Sequence, residues 1–232
     1  MTPEEIQQRV LYRDGLVLII DKPAGIPVHS GPKGGENLEQ YFTHLCYGWS
    51  KPPALAHRLD RDTSGCLVLG RHPKALRKLG RLFSGAGVDK TYWAVTHGHP
   101  TSDSGQINLP LTKQSRNKQS WWVTVDQAGG KSSVTDYKVL GKTEKYSWIE
   151  CYPRTGRTHQ IRVHLAAIGC PIVGETIYAG RELDDTTQPV LHLLSRSITL
   201  PLSANKPPIT TTASPPKHMH DLLRQCGWNP NS

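Results

Sequence analysis

Two short segments of the sequence hold most of the side chains that could do chemistry. The first is HRLDRDTSG at 57–65, which places two carboxylates, two guanidinium groups and one imidazole just before an apolar run at 66–69. Loops held by a rigid strand are common positions for catalytic groups, and a carboxylate there could act as a base or a nucleophile. On residue types alone, a solvated turn closed by a hydrogen bond from Asp60 or Asp62 is the better interpretation.

The second segment is RTGRTHQIRVHL at 154–165, in which three arginines, two histidines and a glutamine surround the start of a predicted helix. A helix N-terminus attracts anions, and arginines add bidentate contacts to phosphate or carboxylate. A basic exposed helix face is the alternative. Ile161, Leu165 and Ile168 mark the buried side, and Arg162 lies close to it in helical angle. A partly buried arginine needs a carboxylate partner, which an aspartate of the first segment could supply.

The elements that must position these segments indicate an α+β fold. Strands are predicted from β-branched and aliphatic runs, and helices from apolar residues at helical spacing. The predicted strands are two within 10–20, joined at Asp14-Gly15, and others at 66–69, 90–95, 121–125, 133–140, 146–152 and the end of 203–213. The predicted helices are 37–47, 73–83, 158–168 and 215–226, and 100–120 is predicted as polar loop. Without strict alternation, these elements favour a mixed, mostly antiparallel sheet with flanking helices.

Basic residues exceed acidic residues over the 232 positions. Lys and Arg number 28, Asp and Glu number 19, and the net charge is +9. Such an excess suits a polyanionic partner, most simply nucleic acid. Charge alone does not separate this role from a role in solubility.

We expect a cytoplasmic protein without a membrane span or a secretory signal. No apolar run reaches the roughly 18 residues of a membrane helix, and the N-terminal MTPEEIQQRV has no apolar core region. The five cysteines are widely spaced and form no C-x-x-C pair. Buried thiols in a reducing cytosol are therefore predicted, rather than a disulfide framework or a structural zinc site.

An ordered series of motifs resembles one enzyme family. HRLDRDTSG at 57–65, Lys90-Thr91-Tyr92 and GRTHQIRVHL at 156–165 are similar to the three main elements of RNA pseudouridine synthases. The similarity is to the large ribosomal and transfer RNA branch, the RluA-like family with the HRLDxxTSG signature. Lesser matches are DKPAGIPVH at 21–29, GCPIVG at 169–174, Tyr178 and Leu191-His192, so that the resemblance covers about residues 10–223.

Two features depart from the family's pattern. Glu175 stands where the family usually has Asp, and LLSRSITLPL after Leu191-His192 lacks the family's usual alanine and F-x-H-P end. Both lie outside the predicted catalytic residues and bear on packing and local RNA contacts. We expect a single catalytic domain over 1–232 without an appended N-terminal RNA-binding module. That expectation slightly favours a small structured target such as a transfer RNA stem-loop.

The resemblance implies the pseudouridine synthase catalytic fold with a central active-site cleft. Such enzymes detach uracil from its ribose, turn it and reattach it through carbon, without redox change, cofactor, nucleotide or metal. Asp60 would be the essential carboxylate, Tyr92 would stack on the base, and Arg162 would pair with Asp60 and keep it ionised. Attack on the ribose, attack on the base and removal of a ribose proton all stay open for Asp60.

The implied partner is a structured transfer or ribosomal RNA, bound by a monomer that flips the target base out of its stack. Arg58 would enter the vacated space or hold a phosphate, whereas His57 has a structural role as its alternative. Cations on helix 73–83 and in 113–119 would contact phosphates, with plain solubilising charge as an equal alternative. The predicted RNA contacts are His57, Arg58, Arg61, Thr63, Lys74, Arg77, Lys78, Arg157, His159 and Gln160.

Three other functions account for less of the sequence. A non-catalytic RNA-binding module would leave the Asp60 and Arg162 segments without a purpose. A phosphate-binding P-loop ending at Gly129-Gly130-Lys131-Ser132 would need a glycine at position 125, which is Val125, so a hairpin turn is predicted there. A glycosidase would need Asp60 and Asp62 to face each other across a sugar, which residues two apart in one loop rarely do.

Overall fold

The computed structural model describes residues 1–31, 34–85, 87–117, 120–179 and 189–230. The helices are α1 (Pro3–Gln8), α2 (Pro73–Ser84), α3 (Gln160–Ala167) and α4 (His220–Gln225), with 3₁₀ helices at Leu38–Leu45 and Lys217–Met219. The strands are β1 (Val10–Arg13), β2 (Val17–Lys22), β3 (Ala54–Leu55), β4 (Ser64–Gly70), β5 (Asp89–His97), β6 (Ser104–Asn108), β7 (Leu111–Asn117), β8 (Ser120–Val125), β9 (Val134–Lys142), β10 (Tyr146–Pro153), β11 (Leu193–Leu200) and β12 (Ile209–Thr212).

These elements form two compact units. The first unit is Met1–Lys90 with Leu194–Pro215, and the second unit is Thr91–Leu193 with Pro216–Ser232. None of the helices in the described ranges is long and apolar enough to cross a membrane.

The first unit is built around β4. Along one side of β4 runs antiparallel β2, which in turn pairs with β1. On the other side, β3 pairs antiparallel near one end and β11 pairs parallel near the other, with β12 antiparallel beyond β11. The runs Val17–Ile20 and Cys66–Leu69 are fully buried, as continuous apolar strands covered on both faces should be. This register sets Lys22 at the end of β2 opposite Gly65 in β4.

Gly65 is needed where the 57–63 loop enters β4. Its φ is +100°, and a Cβ at this position would lie 2.3 Å from the carbonyl oxygen of Ser195. Only glycine meets both the backbone angle and the close approach of the neighbouring strand. The glycine of HRLDRDTSG is therefore a packing requirement in the same segment as the predicted catalytic aspartate.

The second unit contains the antiparallel strand order β5-β10-β9-β6 and a separate antiparallel hairpin, β7–β8. Helix α3 contributes Ile161 and Leu165 to an apolar cluster with Ala94, Ile149 and Cys151. Every residue from Gln160 to Leu165 is buried. The sequence predicted that only one side of α3 is buried, whereas the structure buries residues on all sides of this short helix.

The predicted α+β class with mostly antiparallel strands is confirmed, as are the strands predicted within 10–20 and at 66–69, 90–95, 121–125, 133–140 and 146–152 and the helix at 73–83. The prediction for 100–120 was wrong, because this stretch contains β6 and β7. In β6 only Ile107 is buried, so the strand shows no run of apolar residues. Strand β11 was missed, and the helix predicted at 37–47 is a 3₁₀ helix.

The buried His192 should weaken the fold at acidic pH. It is 4% exposed, its Nδ1–H donates to the carbonyl of Val190 at 2.8 Å, and the ring of His218 lies 5.2 Å away. Burial lowers the pKa of His192 to about 4 and also lowers the pKa of His218. Between pH 6.5 and 4, His192 binds a proton in the unfolded chain but not in the folded chain. The free energy of unfolding therefore decreases as the pH is lowered, by at most about 1.4 kcal/mol per pH unit for His192.

Urea unfolding at pH 7.0 and pH 5.0 measures this loss. Between pH 7.0 and pH 5.0, we expect the free energy of unfolding to decrease by up to about 2 kcal/mol less in His192→Asn than in the wild type. An equal loss in the two proteins would contradict the assignment.

Candidate active site

His57 anchors the start of the loop that carries Asp60. Its Nε2 accepts the backbone N–H of Val68 in β4 at 3.0 Å, and its ring stacks on Phe83 of α2 with centroids 4.4 Å apart. Burial lowers the pKa of His57 to about 3. The ring is therefore neutral at pH 7, as a nitrogen that accepts a hydrogen bond must be. The structure gives His57 this anchoring role, and its contact with RNA stays a prediction.

Lys22 holds the other end of the same loop. Its fully buried side chain extends from the end of β2, and Nζ donates to the carbonyls of Pro23 at 2.8 Å, Arg61 at 2.8 Å and Thr63 at 2.9 Å. Burial lowers the pKa of Lys22 to about 7, against the opposing charges of nearby aspartates, with Asp62 first. An ammonium group has three donors, and all three are used here. Sequence reasoning quoted Lys22 within a motif and assigned it no role.

Asp60 lies partly buried in the middle of this doubly anchored loop. Its carbonyl oxygen accepts the N–H of Thr63 at 3.2 Å, which closes a turn. Asp62 is also partly buried, with 44% of its side chain exposed and its Oδ1 3.4 Å from Nε of Arg61. Arg58 and Arg61 are exposed, whereas Thr63 is buried. The loop thus exposes its two arginines and keeps both carboxylates partly buried.

Arg162 and Glu175 form a buried bidentate ion pair. Nε of Arg162 donates to Oε2 of Glu175 at 2.6 Å and NH2 donates to Oε1 at 2.7 Å, with the two side chains only 5% and 0% exposed. Oε1 also accepts the backbone N–H of Ile177 at 2.8 Å. The sequence predicted a carboxylate partner for Arg162 and named Asp60. Glu175, noted only as a departure from the family pattern, is a partner that sequence reasoning missed.

Tyr178 connects this ion pair to the β7–β8 hairpin. The hydroxyl of Tyr178 accepts the N–H of Val123 in β8 at 3.1 Å and lies 2.7 Å from Nδ1 of His159. Since the hydroxyl already accepts from Val123, its own proton can be donated to Nδ1. The guanidinium carbon of Arg162 lies 5.4 Å from the centre of the Tyr178 ring. The side chain of Tyr178 therefore contacts the β7–β8 hairpin, His159 and Arg162.

His159 occupies an unusual backbone conformation just before α3. Its φ of 53° and ψ of 18° are left-handed, which a non-glycine residue adopts at an energetic cost. Its ring lies 5.2 Å from that of Trp121, and Nζ of Lys113 lies 4.2 Å from the centre of Trp121. The conformation directs the imidazole toward the hairpin and Tyr178. Such a strained residue beside a charged pair is typical of functional sites.

Gln160 holds the loop that precedes α3. Its Oε1 accepts the hydroxyl of Thr155 at 2.7 Å and the N–H of Arg157 at 3.0 Å. Its Nε2 donates to the carbonyl of Val134 at 2.9 Å and to Oγ1 of Thr135 at 3.0 Å. The amide has two donors and two acceptor positions, and these four bonds use them. The structure makes Gln160 an internal brace, and its contact with RNA stays a prediction.

Tyr92 lies in β5, opposite Cys151 of β10. It is partly buried and packs against the apolar cluster that includes Ile161 and Leu165 of α3. The ring is therefore supported by the core of the second unit without being enclosed by it.

The predicted site residues lie in both units. The first unit holds His57, Arg58, Asp60, Arg61, Thr63, Lys74, Arg77 and Lys78, and the second holds Tyr92, Arg157, His159, Gln160 and Arg162. The exposed members of the set are Arg58, Arg61, Lys74, Arg77, Lys78 and Arg157. The pairing of Asp60 with Arg162 stays a prediction. Within the described ranges, no group of three or more His, Cys, Asp and Glu side chains could hold a metal ion.

Comparison with known proteins places these residues in context. Residues 16–167 match the family described as RNA pseudouridylate synthase. An uncharacterised RNA pseudouridine synthase of Zymomonas mobilis is 44% identical over 218 residues, which cover 94% of this chain and 98% of that relative. Ribosomal large subunit pseudouridine synthase D of Xanthomonas campestris is 33% identical over 95% of this chain and 70% of that relative. The solved structure of human RNA pseudouridylate synthase domain containing 4 aligns with a TM-score of 0.78 and 25% identity, over 96% of this chain and 95% of that one.

The buried pair should be far more sensitive to losing one partner than to losing both. Glu175→Leu leaves the Arg162 guanidinium buried without this carboxylate, and we expect a loss of about 3–5 kcal/mol in the free energy of unfolding. The double variant Arg162→Met with Glu175→Leu removes both charges and should recover most of that loss. Urea unfolding at pH 7 measures both. A single variant that loses less than about 1 kcal/mol would show that the pair is not held as described.

Proposed function

The chain belongs to the RNA pseudouridylate synthase family and is an isomerase that acts on RNA; we propose that it converts one specific uridine of a ribosomal or transfer RNA to pseudouridine, with Asp60 as the essential carboxylate. The bond from N1 of uracil to C1′ of ribose breaks, a bond from C5 to C1′ forms, C5 loses a proton and N1 gains one. Atoms and electrons balance without an oxidant or a reductant. The relative named ribosomal large subunit pseudouridine synthase D supports ribosomal RNA as the first target to examine.

The observation that carries this proposal is the anchored loop of Asp60. Lys22 donates to the carbonyls of Arg61 and Thr63 on one side, and His57 is fixed to β4 on the other. A carboxylate that must meet one atom of a nucleoside gains from such pre-positioning, since small displacements from reactive geometry lower rates steeply. The aspartate is also partly buried, so a bound nucleoside would readily exclude water around it.

We propose two further roles in the site. Arg162 is held by Glu175 through two of its five donors, and a guanidinium can bind a second carboxylate with the others. That second carboxylate is Asp60 in this proposal, which would keep it ionised. Tyr92, supported by the core of its unit, would stack on the uracil after the base has left its own stack, at a cost of a few kcal/mol.

RNA binding is proposed to be mainly electrostatic. Helix α2 has no acidic residue and exposes Lys74, Arg77, Lys78 and Arg81. Their spacing of three and four places them along one side of the helix. Phosphate contacts of this kind fix orientation and carry no sequence information. Choice of the base would therefore lie with the residues proposed to contact the uracil, and the exposed Arg58, Arg61 and Arg157 would add phosphate contacts.

Mapping pseudouridines in total RNA from cells with and without the gene tests the substrate directly. A ribosomal or transfer RNA position that loses pseudouridine only in the deletion, and regains it with the gene restored, is the expected result. No change at any position would contradict the proposed function.

Asp60→Asn removes the carboxylate charge with little change of shape. We expect the rate of pseudouridine formation to fall about 100-fold or more, whereas RNA binding is retained. Asp62→Asn is the matched control in the same loop and should keep activity within a few-fold. Tritium release from RNA labelled at C5 of uridine measures the rate, and filter binding measures the affinity. Equal losses in the two variants would argue against a special role for Asp60.

Replacing Lys74, Arg77 and Lys78 by Ala should flatten the salt dependence of RNA binding. Each phosphate contact adds about −0.7 to −0.9 to the slope of log K against log salt, so the slope should become shallower by up to about 2–3. The modified position should not change. The matched control replaces Lys138, Lys142 and Lys145, which are exposed lysines of the second unit. An unchanged slope for the α2 variant would mean that this helix face is only solvated.

A further inference from the structure

Trp49 is an exposed aromatic side chain on a loop that is fixed by hydrogen bonds to a buried arginine. It is 43% exposed. The indole stacks on the imidazole of His72, with ring centroids 5.4 Å apart and planes at 25°. An exposed indole supported on another ring is a rigid flat surface of the kind that stacks with a nucleobase.

A buried arginine builds the loop that presents Trp49. Arg71 is 8% exposed, and its guanidinium donates to the carbonyls of Asp14 at 2.9 Å, Cys46 at 2.9 Å and Tyr47 at 3.3 Å. Its guanidinium carbon lies 5.5 Å from the centre of the Trp49 ring. Tyr47 takes a left-handed φ of 45°, which a non-glycine residue keeps only when its surroundings require it. The position of the exposed indole is therefore set by the fold.

Helix α2 connects this loop with the Asp60 loop. His72, against which Trp49 stacks, is the N-cap of α2 and accepts the N–H of Ala75. Near the other end, Phe83 stacks on His57, which is next to Arg58. At 1.5 Å per residue the two stacks are about 16 Å apart along the helix. The basic stripe of Lys74, Arg77, Lys78 and Arg81 runs over that span.

We propose that Trp49 is a stacking platform for an unpaired base of the RNA that flanks the target uridine. The stripe on α2 holds the phosphates between the platform and the Asp60 loop. The inference rests on the proposed function and adds to it the path of the flanking strand. Aromatic stacking combined with a line of cations is the physical signature of single-stranded nucleic acid binding. Every base has a flat face, so the platform recognises an unpaired strand rather than a sequence.

Binding of fluorescein-labelled single-stranded RNA tests the platform. The probes are a 12-nucleotide oligouridylate, a 12-nucleotide oligoadenylate and a blunt 12-base-pair RNA duplex. Trp49→Ala should weaken binding of both single strands about 5- to 150-fold and binding of the duplex less than two-fold. Trp49→Phe, which keeps a flat ring, should stay close to the wild type. The matched control is Trp228→Ala, since Trp228 also packs against a histidine, His220, at 5.1 Å; it should have no effect.

A second measurement uses the unaltered protein, so it does not depend on how the variants fold. Oligouridylate that carries 4-thiouridine should cross-link on irradiation to the peptide that contains Trp49 or His72. Wild-type affinity in Trp49→Ala, or cross-links only elsewhere, would overturn the inference. If the wild type forms no pseudouridine in any RNA yet cross-links at Trp49, the proposed function fails and the platform stands. If it forms pseudouridine and Trp49→Ala binds normally, only the platform fails.

Discussion

The buried amino group of Lys22 holds the loop segment that follows Asp60. A buried ammonium without partners would cost many kcal/mol, and three carbonyl oxygens at 2.8–2.9 Å offset that cost here. Two of those carbonyls belong to the loop that follows Asp60, at Arg61 and Thr63. Without Lys22 both carbonyls would lose this donor, and the Arg61 carbonyl would keep only the N–H of Gly25 at 3.0 Å. The lysine and the loop conformation therefore stabilise each other. Since Lys22 ends β2 opposite Gly65 of β4, the strand register decides where the loop is held.

In the second unit, a buried ion pair with Glu175 fixes the position of Arg162. A buried pair adds little net stability, because desolvation of both groups offsets their attraction, yet it defines position sharply. Glu175 holds Arg162 by two bonds and also accepts the backbone N–H groups of Ile177 and Tyr178. Tyr178 then contacts His159 and the hairpin strand β8. Movement of the β7–β8 hairpin would therefore displace Tyr178 and, through it, the guanidinium group of Arg162.

The sequence predicted the features that depend on local patterns. The apolar runs at 17–20 and 66–69 and the amphipathic helix at 73–83 are local, and the structure has them. Lys22 was missed because an isolated lysine is normally a surface residue, and only its carbonyl partners from a distant loop allow it to be buried. Glu175 was missed as the partner of Arg162 for a similar reason, since a charge pair between two elements depends on how they pack. Strand β6 was missed because a polar edge strand has one buried residue and no alternation to detect.

The cations of this chain divide by burial into two groups with different roles. Lys22, Arg71 and Arg162 are 0%, 8% and 4% exposed, and each donates hydrogen bonds to carbonyls or to a carboxylate of its own chain. They contribute to the net charge of +9, but their burial keeps them from phosphate groups. The net charge therefore suits an anionic partner but exceeds the number of cations that can contact phosphates. Exposed cations such as those of α2 are screened by salt, whereas buried ones are screened much less. Under the proposed function, rising ionic strength therefore weakens RNA binding by the exposed cations, whereas the buried contacts of Lys22, Arg71 and Arg162 are affected much less.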